Sequence, residues 1–107
     1  MTRIFTRAPL VVVVVDRADP AARIPAWEQS LTVGAVCMNL INAAAGLGFG
    51  SIWLSGWLAT QQAGWPVLGL AGNERVAGVI HIGTAREAPK ERERPDIDTI
   101  ASHWRAA

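Results

Sequence analysis

No charged side chain occurs between Glu28 and Glu74, and this gap of 45 residues limits most strongly how the chain can fold. All charged residues lie on either side of the gap, within a chain of only 107 residues. Charged residues are almost never fully buried, so they normally cover much of the surface of a small protein. We therefore expect the uncharged centre to be hidden against a partner chain, a ligand, a membrane or another part of the protein.

The length and charge of the chain exclude several classes of protein. A compact chain of 11.4 kDa exposes roughly 5,800 Å² and supports one modest core, with little room for a complete cofactor pocket. A net charge of +1 argues against a nucleic-acid-binding protein. Cys37 is the single cysteine, which excludes an internal disulfide and a cysteine-rich zinc site and fits a cytoplasmic compartment.

Two apolar segments invite a membrane or secretion interpretation, and we expect neither. The run Leu10–Val15 follows a basic start, but it is shorter than the apolar region of a signal peptide. The segment Val33–Trp53 approaches the length of a membrane span. Asn39, Gly46 and Gly48 interrupt it, which favours a buried helix followed by a strand.

The order of apolar runs and breakers predicts an α+β fold with α/β-like features: a small sheet and one long, buried central helix. Continuous β-branched runs are typical of strands buried on both faces. We predict strands at Leu10–Val15, Ser51–Leu54 and Val76–Thr84, a helix at Ala26–Ala45, short helices within 58–70, and a charged tail over 86–107 with a helical turn within 98–104.

The predicted helix is apolar almost all round, and only its first turn, Trp27–Gln29, carries a solvated pattern. Pro25 suits a helix start, and a helix without a polar face is buried on all sides. One small sheet cannot cover so many apolar faces, so this helix again predicts a partner.

Few residues carry a chemical signal of their own. Gly46, Gly48 and Gly50 resemble a dinucleotide-binding motif by spacing, but here the helix precedes the glycines, so they fit a helix stop better. Cys37 fits a core position, and His81 and His103 have no acidic residue at local spacing. No motif for a metal site or for acyl transfer is present.

Two further groups are weaker candidates for ligand contacts. Ser55, Gly56 and Trp57 directly follow a predicted strand, where a glycine lets a planar ligand approach the backbone. Arg92 and Arg94 belong to a charged stretch that fits a solvated tail, or alternatively a phosphate contact.

In order and spacing, several segments together resemble the C-terminal part of the nitroreductase family, above all its small bacterial NAD(P)H nitroreductases. The likeness extends from about Arg7 to Trp104. The segments that carry it are Arg7–Val14, Pro25–Gln29, Gly34–Leu40, Ala45–Leu54, Gly69–Leu70 and Asn73–Gly78.

The resemblance implies an FMN-dependent, homodimeric oxidoreductase that takes hydride from NAD(P)H and reduces nitroaromatics or quinones. It implies a dimer interface along the helix 26–45. By the same resemblance, Ser55, Gly56 and Trp57 contact the flavin, and Arg92 or Arg94 contacts the FMN phosphate. The stretch assigned to NAD(P) comprises Ala45, Gly46, Leu47, Gly48, Phe49 and Gly50.

Members of the family carry a further N-terminal segment with an Arg-Arg-Ser-x-Arg type of motif that holds FMN, and this sequence has none. We therefore expect residues 1–107 to form a single partial domain. The alternative to an enzyme is a non-catalytic dimerisation fragment that lacks the N-terminal FMN-binding half.

Overall fold

A computed structural model describes residues 8–55 and 68–106, which form one three-stranded sheet and one long helix. The sheet is antiparallel, with strand order β1-β3-β2. The elements in chain order are β1 (Leu10–Asp16), α1 (Ala26–Gly46), β2 (Gly50–Leu54), β3 (Arg75–Gly83) and α2 (Ile97–Ile100). This confirms the predicted α+β class and places the three strands and α1 within one residue of their expected bounds, whereas α2 ends four residues earlier than predicted.

The central strand is β3, which pairs with β1 along most of its length and with β2 over its second half. It pairs with β1 from Leu10↔Ile82 to Asp16↔Arg75, and with β2 from Gly50↔Gly83 to Leu54↔Val79. The register with β1 shifts between Val14 and Val15, so that Ala77 has no residue opposite it. A shift of this kind is a local bulge, which bends the strand and frees backbone groups for other partners.

Helix α1 begins directly after Pro25, whose extended backbone (φ −55°, ψ 143°) leads into the first turn. The Gln29 side chain ties the preceding loop to the helix. Its Nε2 donates to the carbonyl oxygens of Asp19 and Ile24 at 3.0 and 2.7 Å, and its Oε1 accepts from the amide of Asp19. The start of the helix is therefore held by side-chain bonds to the loop in addition to helix propensity.

The core lies on both faces of β3. On the side of α1, the buried residues are Cys37 and Ala44 of the helix and Ile80 and Ile82 of the strand, with Val12, Val14, Leu40 and Ile41 packed around them. On the opposite side, Val76 and Val79 pack with Val11, Val13, Leu68 and Leu70. Both clusters are small, as expected for a chain of this length.

The sheet leaves apolar faces of α1 uncovered, as the sequence predicts, but the expectation that strands β1 and β2 are buried is wrong for the single chain. In the single chain α1 is covered on one side only, and Trp27, Leu31 and Met38 are 65%, 64% and 49% exposed. Strand β1 lies at an edge of the sheet and is half-buried, and Ile52 of β2 is 54% exposed. These faces stay exposed in the single chain because one small sheet cannot cover them.

The tail follows β3 without regular structure until α2, as the alternating charges predicted. Asp96 caps this short helix, since its side chain accepts from the amide of Asp98 at 3.2 Å. Within the described residues, no helix is both long and apolar enough to cross a membrane.

Candidate functional site

An open cleft of about 690 Å³ lies between α1 and the end of β2. Helix α1 contributes Met38 and Ile41, and Arg92 comes from the charged tail. The remaining lining residues belong to β2, to the position just after its end and to β3: Ser51, Ile52, Trp53, Ser55 and Ala77. The cleft therefore combines an apolar wall, two hydroxyl groups and one cation.

Alternation along β2 explains why its polar and aromatic residues share this wall. Successive side chains of a strand point to opposite faces. Ser51 and Trp53 lie opposite Ile82 and Ile80, two residues that pack against α1. Ser55 continues the same alternation one residue beyond the end of the strand.

Trp53 is the largest side chain of the cleft, and it also closes the gap between β2, β3 and α1. Its indole Nε1 donates to the carbonyl oxygen of Ala77 at 3.3 Å. A Cβ placed on Gly34 of α1 would lie 3.9 Å from Trp53 Cη2. The indole is 38% exposed, so one part of the ring is packed and another part faces the cleft.

The structure separates the two arginines that the sequence left as equal candidates. Arg94 Nε donates to Glu91 Oε1 at 2.7 Å, an exposed ion pair within the tail. Arg92 lines the cleft together with Ser55, from which 37 positions of sequence separate it. The cleft thus brings together one predicted flavin contact and one predicted phosphate contact.

The glycine turn that follows α1 is a helix stop whose backbone donors are already in use. The amide of Phe49 donates to Ala44 O at 2.9 Å, and that of Gly48 donates to Ala45 O at 3.0 Å. Gly48 has a φ of +87°, a left-handed conformation that glycine adopts without strain. These are the bonds of a Schellman motif, and Leu47 adds a bond to Ala43 O.

Because the amides of this turn are already hydrogen-bonded, what it presents to a ligand is the apolar surface of its side chains. Leu47 and Phe49 are 76% and 47% exposed. They border a hollow of about 360 Å³ whose lining is apolar, formed by Pro9, Leu10, Leu40, Ala43, Ala44, Leu47, Phe49, Ile82 and Gly83. Gly50 opens β2 directly after this turn, and the cleft extends along the strand from Ser51 to Ser55.

A third cavity, of about 490 Å³, lies beside the start of β2 and the end of β3. Gly50, Ile52 and His81 line it, and one side is formed by Thr84, Ala85, Glu87 and Pro89. His81 is buried in the central strand at 5% exposure.

Cys37 lies in the core between α1 and β3 and is fully buried. Burial disfavours the thiolate and raises the pKa of the Cys37 thiol. A reactive cysteine requires exposure and a lowered pKa, so Cys37 is a packing residue, as its position in the sequence suggested.

Not every predicted site residue can be placed. Gly56 and Trp57 lie outside the described residues, as do most of the short helices predicted within 58–70. Met38, Ile41 and Trp53 were missed as cleft residues by the sequence analysis. The alternation of positions 51, 53 and 55 was the signal that could have indicated Trp53.

Comparisons with known proteins agree with this architecture. The family model of the nitroreductases matches residues 2–84. A protein of Haemophilus influenzae named "Putative NAD(P)H nitroreductase" is 39% identical over 94 residues, which are 87% of this chain and 50% of that protein. YdjA of Escherichia coli K12, which carries the same name, is 33% identical over 78 residues, 73% of this chain and 43% of that protein.

Solved structures show the same likeness. A nitroreductase-like family protein from Bacillus cereus superposes with a TM-score of 0.80 at 28% identity, over 92% of this chain and 52% of that one. A nitroreductase family protein from Streptococcus pneumoniae shares the fold with a TM-score of 0.61. The chain spans about half the length of the curated relatives it matches. With most of its length matched by the family model and its helix and sheet matched in structure, the chain belongs to the nitroreductase family.

Proposed function

We propose that the cleft between α1 and β2 is the part of an FMN site that this chain supplies to an NAD(P)H-dependent oxidoreductase, which reduces small nitroaromatics or quinones. The observation that carries the proposal is the shared cleft of Ser55 and Arg92, two residues that are distant in sequence. Family membership supports the class of reaction, and the chemistry of the cleft supports the cofactor.

The lining of the cleft suits a flat heterocycle that carries a phosphate. Met38, Ile41 and the indole of Trp53 offer apolar surface to a ring system, and the hydroxyl of Ser55 offers a hydrogen bond to its polar edge. The Arg92 guanidinium suits a phosphate, because its planar fork of donors matches phosphate geometry. These residues therefore fit FMN.

Each group of the chain has a distinct task in this proposal. FMN, when bound, supplies the chemistry of accepting a hydride from NAD(P)H and passing it to the acceptor. Ser55, with Gly56 and Trp57 next to it in the sequence, would orient the ring through hydrogen-bond donors, and such donors would also stabilise negative charge on it. Arg92 holds the phosphate, while Met38 and Ile41 keep water from one side of the site.

The stretch 45–50 is proposed to contact the nicotinamide donor through apolar surface. The amides of Leu47, Gly48 and Phe49 already donate within the helix stop, which leaves the exposed side chains of Leu47 and Phe49 for contact. We do not assign phosphate binding to this turn, because α1 directs its carbonyl end toward it.

The partner proposed for this site is a second copy of the same chain, packed along the outer face of α1. Trp27 and Leu31 leave a large apolar surface exposed on that face, and exposed apolar patches often mark interaction sites. The same observation favours the second candidate function, a dimerisation module without catalysis. Both candidates are proposed to act in the cytoplasm.

Titration of the purified chain with FMN tests the proposal. We expect the wild-type chain to quench flavin fluorescence on binding, and Arg92→Ala to weaken FMN binding about tenfold, in line with the loss of a hydrogen bond to a charged group. Arg94→Ala is the matched control and should change binding less than about twofold, since exposed ion pairs contribute little. A wild-type chain that remains colourless and does not take up FMN would contradict the proposal and favour the dimerisation module.

A further inference from the structure

The indole of Trp53 reaches past the end of the β2–β3 ladder. The last paired residues of that ladder are Leu54 and Val79. Ala77, whose carbonyl oxygen accepts the bond from Trp53 Nε1 at 3.3 Å, lies two residues beyond Val79 on β3. The bond therefore joins the two strands at a point where backbone pairing has already stopped.

Ala77 lies at the bulge in β3. It has no residue opposite it on β1, and β2 does not extend far enough to pair with it. Trp53 donates a hydrogen bond to the carbonyl oxygen of Ala77 from a side chain, where neither ladder gives that residue a paired neighbour.

Gly78 provides the space that the indole occupies. A Cβ on Gly78 would lie 2.9 Å from Trp53 Cδ1, and nearer still to Trp53 Nε1. It would also lie 3.2 Å from the Sγ of Cys37. The glycine thus lets a residue of β2 and a residue of α1 meet on the surface of β3.

We infer that Trp53 is the positioning residue for Ser55, which it holds against β3 through the bond to Ala77. Ser55 follows Leu54 without any further strand pairing, so this side-chain bond is the nearest fixed point on β3 beyond the ladder. The inference deepens the proposed function, because it names the contact that keeps the proposed flavin-binding residue in place. The positioning itself does not depend on which ligand the cleft binds.

The wild-type chain provides a first test that needs no variant. The indole N–H of Trp53 should exchange with solvent about fivefold or more slowly than that of Trp104, as a hydrogen-bonded donor does. Trp104 is 87% exposed, lies outside the proposed dimer contact and serves as the reference within the same molecule. Equal exchange at the two indoles would overturn the inference.

Trp53→Phe tests the effect on Ser55, because it keeps a ring in the gap but removes the donor. We expect the backbone order parameter of Ser55 to fall from near 0.85 toward 0.6, while those of Ser51 and Val13 stay unchanged. Trp27→Phe is the matched control and should change none of them. An unchanged Ser55, or an equal loss of order along the whole sheet, would contradict a positioning role.

Gly78→Ala disturbs the same bond from the other side, by displacing the indole from Ala77. It should loosen Ser55 in the same way as Trp53→Phe, and a rigid Ser55 in this variant would count against the inference. If either variant fails to fold, the exchange rates of the wild-type indoles still decide the matter.

Binding of FMN separates this inference from the proposed function. If the cleft binds FMN, Gly78→Ala should weaken binding about fivefold, by the loss of order at Ser55 that one hydrogen bond maintained, because Gly78 does not itself line the cleft. If the wild-type chain does not bind FMN, the proposed function fails, and the exchange and relaxation data alone support or overturn the role of Trp53.

Discussion

The hydroxyl of Ser30 donates to Oδ2 of Asp16 at 2.6 Å, which joins the last residue of β1 to the second turn of α1. The other oxygen of this carboxylate, Oδ1, accepts from the amide of Ala18 at 3.0 Å. One side chain thus fixes both the exit of the chain from the sheet and the position of the helix. This bond joins the sheet to the helix directly, whereas Gln29 joins the helix to the loop between them.

We expect Ser30→Ala to lower the free energy of unfolding relative to a matched replacement, Thr32→Ala. The hydroxyl of Thr32 donates to Glu28 O inside the same helix and joins no second element. Both variants gain the helix propensity of alanine, so the difference between them reports the bond to Asp16, about 1 kcal/mol. Urea denaturation measures it, and equal stability of the two variants would show that the bond contributes nothing.

The helix stop predicts opposite effects for two neighbouring glycines. Gly48→Ala should destabilise the chain by about 1 kcal/mol or more, because its φ of +87° strains any residue with a Cβ. Gly46→Ala should stabilise it by about 0.5 kcal/mol, since Gly46 is helical and a Cβ there meets no atom within 4 Å. Thermal unfolding of both variants checks the pair, and a shift of the two melting temperatures in the same direction would contradict the assignment.

Burial of Cys37 predicts slow reaction with thiol reagents in the native chain and fast reaction in guanidinium. The raised pKa of its thiol also sets a dependence on pH. As pH rises, the unfolded chain loses this proton first, so the free energy of unfolding should fall from about pH 8.5 upward.

Cys37→Ala is the control for that dependence, since it removes the thiol. The alanine variant should be less stable but should lose the part of the alkaline slope that Cys37 causes. A native thiol that reacts as fast as the denatured one would show that the packing around Cys37 is open.

The exposed face of α1 predicts a dimer that one charge can dissociate. We expect the wild-type chain to sediment as a dimer at micromolar concentration and Leu31→Glu to shift it to a monomer, because a buried unpaired carboxylate is costly. Ile97→Glu introduces the same charge at the same exposure of 64% and should leave the dimer intact. A wild-type chain that sediments as a monomer would contradict the proposed partner.

Local signals account for the elements that the sequence predicted well. The ends of α1 follow from Pro25 and Gly48, which act on the backbone next to them, and the strands follow from runs of β-branched residues. The order of the strands in the sheet could not be predicted from such local signals, because strand pairing joins residues more than twenty positions apart. The two faces of β1 were expected to be buried, yet the strand lies at an edge of the sheet.

The residues of the candidate site likewise fall into those that a local sequence signal indicates and those that only the tertiary structure places. The strand-end position of Ser55 could be read from the sequence, since it follows an apolar run. The choice between Arg92 and Arg94 could not, because the two arginines differ only in where the irregular tail places them. The role inferred for Trp53 depends on the bulge at Ala77, which no short sequence pattern indicates.

The central place of β3 has a consequence for the order in which the chain acquires its structure. Among the described strands, β1 and β2 each pair with β3 and not with one another. A nascent chain that ends before Arg75 therefore lacks the strand with which both of them pair. This three-stranded sheet can form only after β3 has left the ribosome, and until then the apolar residues that pack on β3 are exposed to other molecules in the cell.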